Sequence, residues 1–288
     1  MEAVKIGNKW VGEGYPCFVV AEIGINHSGN LEIAKKMIDA AIDAGADVVK
    51  FQKRTVEIVY TAEALAKPRE NPFGATSGDL KRALEFGQRE YQEINEYCRT
   101  KNIMWLASCW DEESVDFIEQ FDPVCYKIAS PSLTDKNLLL HTRSKNKPII
   151  LSTGMSTLEM VDEAIDILGK NRIHCIMACT STYPTKPEEG NVKCVTTLKE
   201  RYPWTKIGFS NHYPGLMSMI MAFILGAEMI EFHATLDRSM IGSDQASSIE
   251  PKGVFELMER IKLIEKMQGD GIKKIFDSEL EIMKKLRK

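Results

Sequence analysis

Eight short apolar or β-branched runs alternate with longer segments of helical period along this chain, and that alternation constrains the fold more than any other feature. The runs occupy residues 18–23 (FVVAEI), 47–52 (DVVKFQ), 104–108 (MWLAS), 124–129 (VCYKIA), 148–152 (PIILS), 175–180 (CIMACT), 206–210 (KIGFS) and 229–233 (MIEFH). Between them lie stretches such as LEIAKKMIDAAIDAGAD, DEESVDFIEQF, STLEMVDEAIDILGK and PEEGNVKCVTTLKERYP, whose apolar residues recur at i, i+3, i+4 and i+7. Strand-then-helix units in series predict an α/β fold with a parallel sheet, and eight of them are what a (β/α)8 TIM barrel needs. An open doubly wound sheet is the alternative. Several runs are almost wholly apolar, as strands buried on both faces require.

The length of 288 residues suits one such barrel, which fills about 250. A net charge of −4 argues against nucleic acid or an acidic membrane as the main partner. The N-terminus, MEAVKIGNKW, has no apolar core of a secretory signal. The most apolar run, 216–227, is broken by Ser218 and Gly226 and falls short of the ~20 residues of a membrane span, so it reads as a buried helix. Seven cysteines are scattered and never spaced CxxC, which favours reduced thiols and a cytoplasmic chain. The four Trp and fourteen Met residues read as core fillers.

Three segments fall outside the repeat. Residues 4–12 (VKIGNKWVG) predict a hairpin turning at Gly7-Asn8. Residues 54–79, polar and bearing Gly and Pro, predict a long loop over the barrel mouth. The expected division is a barrel over 1–275 and a charged helix or tail over 276–288.

Active sites of such barrels gather at the C-terminal ends of the strands, so polar residues there are candidates. Lys50 and Lys127 interrupt apolar strands, where an unpaired ammonium costs several kcal/mol. A bound phosphate or carboxylate is the functional reading, and an internal pair with a Glu or Asp is the alternative. His212 and His233 end consecutive strands and could share a divalent metal. His27 could join them or cap the next helix, whereas His141 and His174 read as structural. Glu22 could serve as a general acid or base, or pair with Lys50. The runs Ser130 to Ser132 and Ser152 to Ser156 read equally as helix starts and turns. No GxGxxG, P-loop or GxSxG motif is present.

Taken in order, AEIGINHSGN (21–30), VVKFQK (48–53), YKIAS (126–130), PIILSTGMST (148–157), CTSTYPT (179–185), GFSNH (208–212) and FHATLDRSMIGSDQASSIEP (232–251) resemble the sialic acid (N-acetylneuraminate) and nonulosonic acid synthases over nearly the whole chain. The resemblance implies a TIM barrel that condenses phosphoenolpyruvate with an N-acetylmannosamine-type sugar, releasing phosphate and a nine-carbon α-keto acid. It implies that His212 and His233 hold a divalent metal, Mn2+ or Mg2+. It matches Lys50, Ser108, Lys127, Ser130, Ser152 and Ser210 to phosphoenolpyruvate, and Glu22, Gln52, Tyr183 and Asp244 to the sugar and a water. Ser181 stands where relatives often carry Asn, and its substrate contact is carried over on that basis.

The metal would polarise the sugar aldehyde while the enolpyruvate C3 attacks it, and Glu22 would position the water that adds at C2. Family members commonly continue into an antifreeze-like (SAF) domain that supplies an arginine across a homodimer. This chain stops at Lys288, so the expectation is a short form lacking that domain. Arg54 or Arg238 would then cover the sugar, or selection would be looser, or the chain has been trimmed. A phosphorylated acceptor, giving the 9-phosphate, another phosphoenolpyruvate-dependent aldol synthase, and a non-catalytic sugar-binding barrel are the competing readings. Lys81, Arg82 and Arg54 are candidates for a substrate phosphate, or are solvated helix charges.

Overall fold

The computed structural model of the protein describes residues 2–287. Strands β1 (Val4–Ile6) and β2 (Lys9–Val11) form the expected hairpin, with Gly7 at φ 56° in the turn, a conformation glycine adopts without strain. Eight parallel strands follow in the chain: β3 (Phe18–Gly24), β4 (Val48–Lys53), β7 (Met104–Cys109), β8 (Tyr126–Ile128), β9 (Ile149–Ser152), β10 (Ile173–Cys179), β11 (Lys206–Asn211) and β12 (Met229–His233). They close into a barrel, β12 pairing with β3 through Phe18 and Met229, which excludes the open sheet. Each lies within two residues of its predicted run.

Strand side chains alternate between faces, and the two faces have different partners. Outward residues such as Val19, Ala21, Val49, Phe51, Leu151 and Phe209 pack under the helices. Inward residues Phe18, Val20, Val48, Leu106, Cys125, Ile150, Cys175, Met177 and Met229 form a separate cluster that includes Ile6 and Val11. The hairpin therefore stops one end of the barrel with apolar side chains. At the C-terminal ends the inward positions change to Glu22, Lys50, Ser108, Lys127, Ser152, Ser210, Glu231 and His233, all buried. The site is thus a polar layer resting on an apolar one.

The outer ring comprises α1 (Leu31–Ala44), α5 (Gln88–Lys101), α6 (Glu112–Glu119), α7 (Lys136–Ser144), α8 (Leu158–Leu168), α9 (Cys194–Arg201), α10 (Met217–Ile224) and α11 (Pro251–Gln268). In α1 the Asn30 side chain accepts from Glu32 and Ile33 N–H, and Ala34, Met37, Ile38 and Ala41 face the core. Of the stretch PEEGNVKCVTTLKERYP only α9 and a short 3-10 turn, Pro187–Glu189, are helical. The apolar run at 216–227 is only half buried: Met219 and Ala222 are enclosed, while Met217, Met221 and Ile224 are exposed.

The segment 54–79 is not a long loop. It carries α2 (Val56–Val59), α3 (Ala62–Ala66), an antiparallel hairpin of β5 (Pro68–Asn71) and β6 (Gly74–Thr76), and leads into α4 (Ser77–Leu84). Thr61 caps α3, and Thr76 and Asp79 form a reciprocal capping box on α4, so side-chain caps order what polarity alone suggested was irregular. The C-terminal segment holds a helix, α12 (Asp277–Leu286), with no buried residue. Among the described residues no helix is long and apolar enough to cross a membrane. All seven cysteines are free.

Candidate active site

Register across the barrel sets the floor of the site. Glu22 on β3 lies opposite Lys50 on β4, Ser108 on β7 opposite Lys127 on β8, and Ser210 on β11 opposite Glu231 on β12. Lys50 Nζ stands 2.5 Å from Glu22 Oε2 and 3.6 Å from Glu231 Oε1, and donates to Ser108 Oγ at 2.9 Å. Lys127 Nζ donates to both oxygens of Glu231 at 2.9 and 2.8 Å, and Ser210 Oγ donates to Glu231 Oε1 at 3.2 Å. The lysines are thus not unpaired: each meets a glutamate inside the barrel, the internal alternative raised from sequence. Two buried ammonium and two buried carboxyl groups make one compact set.

Burial sets the carboxyl groups apart. It raises the Glu22 pKa above the usual carboxylate range, against the pull of Lys50. Burial acts on Glu231 in the same sense, but Lys127 and Lys50 outweigh it and hold that carboxyl at about 2. The two neighbouring carboxyl groups are thus pushed in opposite directions, Glu22 up by burial and Glu231 down by the two lysines. Such separation is what divides roles between paired acids.

The histidines form the next tier. Their ring centroids lie 5.2 Å apart, and the Tyr183 ring is 4.1 Å from His212 and 5.6 Å from His233. His212 Nδ1 donates to the Thr180 carbonyl at 2.6 Å, which orients the ring and turns Nε2 away from that bond. Burial lowers the His212 pKa but is outweighed by Cys179, the Thr180 carbonyl and Glu231, which raise it. His233 Nδ1 is buried without a hydrogen-bond partner, 3.5 Å from Asp244 Oδ2. Burial and nearby His212 and Lys50 lower the His233 pKa to about 4 despite Asp244, so the ring is neutral, the form that ligates metals. Two neighbouring imidazoles, one of them neutral with an orphaned nitrogen, fit a cation. Among the described residues no group of three or more His, Cys, Asp or Glu is disposed around one point, so such a cation would need water or substrate oxygens as well.

All thirteen candidate side chains line one cavity of about 330 Å3 at the barrel mouth. Gln52 Nε2 donates to Glu22 Oε1 at 2.8 Å, and Ser130 Oγ accepts from Gly154 N–H at 3.0 Å. Ser130 sits at the start of a 3-10 turn, so the SPS run does begin a helical turn while its hydroxyl lines the cavity. His27 does not join the site: it stacks on Phe86 at 3.9 Å and accepts from Gly29 N–H. His141 pairs with Asp116 and His174 with the Arg172 carbonyl. Arg238 is exposed and donates to the Ala246 carbonyl, whereas Arg54 does line the cavity, stacked over Trp110 at 4.5 Å.

Sequence reasoning missed Glu231, Cys179 and Trp110. Glu231 is a charge within MIEFH, the same anomaly that flagged both lysines. Cys179 Sγ lies 3.9 Å from His212 Nδ1 and 3.7 Å from Ser130 Oγ, and is set apart by no sequence signal. Trp110 was read as core but forms cavity wall.

Residues 37–273 match the NeuB family. The chain belongs to the NeuB family. Within it, the mouse N-acetylneuraminate-9-phosphate synthase is 35% identical over 97% of this chain and 79% of its own length. The N,N'-diacetyllegionaminic acid synthase of Campylobacter jejuni is 35% identical over 94% of this chain and 83% of its own. The crystal structure of an N-acetylneuraminic acid (sialic acid) synthetase from Leptospira borgpetersenii, in complex with citrate, superposes with a TM-score of 0.86 at 30% identity, covering 100% of this chain and 98% of that one.

Proposed function

We propose that this NeuB family member is an N-acetylneuraminate synthase-type transferase: it condenses phosphoenolpyruvate with N-acetylmannosamine or a close analogue, giving a nine-carbon α-keto acid and phosphate. The observation that carries the reading is the buried Glu22–Lys50–Glu231–Lys127 set beneath the His212–His233 pair, all in one cavity. Lys50, Lys127, Ser108, Ser130, Ser152 and Ser210 supply donors for the phosphate and carboxylate of phosphoenolpyruvate. Gln52, Ser181, Tyr183 and Asp244 stand nearer the rim, toward the acceptor.

His212 and His233 would hold a divalent ion, Mn2+ or Mg2+. Such an ion, when bound, supplies Lewis acidity toward an oxygen of the acceptor. C3 of the enolpyruvate bonds to the aldehyde carbon as the aldehyde C=O π bond opens and its oxygen takes up a proton. Water adds at C2 with loss of a proton, and cleavage of the C2–O bond expels phosphate as the remaining C2 hydroxyl loses its proton and becomes the ketone. Glu22 holds the water and takes its proton, a task suited to a carboxyl whose pKa is raised by burial. The catalytic unit is the barrel of residues 1–275, acting as a cytoplasmic homodimer with neither nucleic acid nor membrane as partner.

A second reading, a phosphorylated acceptor, rests on Lys81: its ammonium lies 3.7 Å from the Tyr60 ring centroid and faces both the site and an adjoining cleft of about 860 Å3 that Arg69 also lines. Phosphate release is measured with Mn2+ or Mg2+, phosphoenolpyruvate, and either N-acetylmannosamine or its 6-phosphate. Release with the free sugar supports the first reading and selective release with the 6-phosphate the second. No release with any N-acetylated hexosamine in either form overturns both.

A further inference from the structure

Glu231 is an acid in the middle of a pocket built for anions. Its carboxylate takes two donor protons from Lys127, one from Ser210, and stands 3.6 Å from Lys50. Lys50 directs its remaining donors to Glu22 and Ser108. Glu231 thus contacts three groups assigned above to phosphoenolpyruvate and takes three of the hydrogen bonds that an incoming phosphate or carboxylate could use. It is 4% exposed, so bulk solvent and salt screen it little.

We propose that Glu231 is a positioning residue that acts as an internal competitor of the anionic ligand: it holds Lys127, Lys50 and Ser210 in place in the empty site, yields donors when an anion enters, and reclaims them as phosphate leaves. The proposal rests on the phosphoenolpyruvate reading of the site. The physical need is evident from the charges. Two buried lysines with no internal carboxylate would bind phosphate tightly and release it slowly, whereas a carboxylate on the same wall weakens the product complex by like-charge repulsion. It also keeps the ammonium groups oriented between turnovers, which an open pair of flexible lysine chains would not do.

The test is direct titration of the full chain with inorganic phosphate by calorimetry, alongside steady-state phosphate release, for the natural protein and for Glu231→Gln and Glu231→Asp. Gln keeps the shape and removes the charge. The expected result is about tenfold tighter phosphate binding in Glu231→Gln, with kcat about tenfold lower and stronger product inhibition by phosphate. Glu231→Asp keeps the charge and is expected to retain the natural phosphate affinity within about threefold. Unchanged or weaker phosphate binding in Glu231→Gln overturns the proposal, as does equal tightening in the Asp variant. A purely structural role predicts weaker binding in both. Because the titration needs no turnover, it separates failure of this inference from failure of the synthase reading, which shows as a natural protein that releases no phosphate.

Discussion

Glu22 and Lys50 are register partners on adjacent parallel strands, and their charged ends meet at 2.5 Å within the barrel. Lys50 nevertheless keeps Ser108 and Glu231 as further partners, so neutralising Glu22 does not strand the ammonium. Glu22→Gln is therefore expected to lower kcat by about 10^2 to 10^4, the usual range for a lost general acid or base, while the Kd for phosphoenolpyruvate stays within about threefold. Phosphate release and calorimetry measure the two quantities. Unchanged kcat would remove Glu22 from the proton-transfer role.

His212 and His233 present the second expectation. His212→Ala and His233→Ala should each weaken Mn2+ binding by at least about tenfold, read by electron paramagnetic resonance of free Mn2+ and therefore independently of activity. Chelation of the natural protein should abolish phosphate release, and added Mn2+ or Mg2+ should restore it. Equal Mn2+ affinity in all three proteins would place the ion elsewhere.

The barrel was legible because short, almost wholly apolar runs alternate eight times with segments of helical period, as strands buried on both faces and covering helices require. The site was legible wherever a charge broke an apolar strand, as at Lys50 and Lys127. Glu231 shows the same signal and was overlooked beside the more conspicuous His233. What pairs with what was not legible: the Lys127 to Glu231 contact spans 104 residues and depends on the order in which strands close, which no local pattern encodes. Segment 54–79 was misread because capping bonds such as Thr76 with Asp79 order polar sequence as effectively as an apolar face does.

The hairpin stopper gives a stability expectation. Ile6 is fully buried and packs with Val11, Phe18 and the inward strand residues at the closed end of the barrel. Ile6→Ala should leave a cavity there and cost about 2–5 kcal/mol in denaturant unfolding. The polar layer lies above the apolar one, so the KM for phosphoenolpyruvate should hardly change below the melting transition. A large KM shift in a folded variant would show that the two layers are coupled.

His27 gives an expectation with a definite sign in pH. It is 2% exposed, and burial pushes its pKa down to about 3, opposed by a backbone hydrogen bond to Gly24 and aided by the Arg54 charge. The folded value lies below the ordinary 6.5, so between those two limits the unfolded chain binds more protons than the native one. Stability from this residue is complete above about pH 6.5 and is lost as pH falls toward 3, at about 1.4 kcal/mol per unit. By pH 5 the loss is about 2 kcal/mol. Its Nδ1 accepts from Gly29 N–H, a bond that a side-chain amide oxygen can replace. His27→Gln should therefore have a flatter stability profile than the natural protein between pH 7 and 5, measured by denaturant melts at each pH. Parallel profiles would mean that His27 does not carry the acid sensitivity, and the buried carboxyl groups would have to account for it.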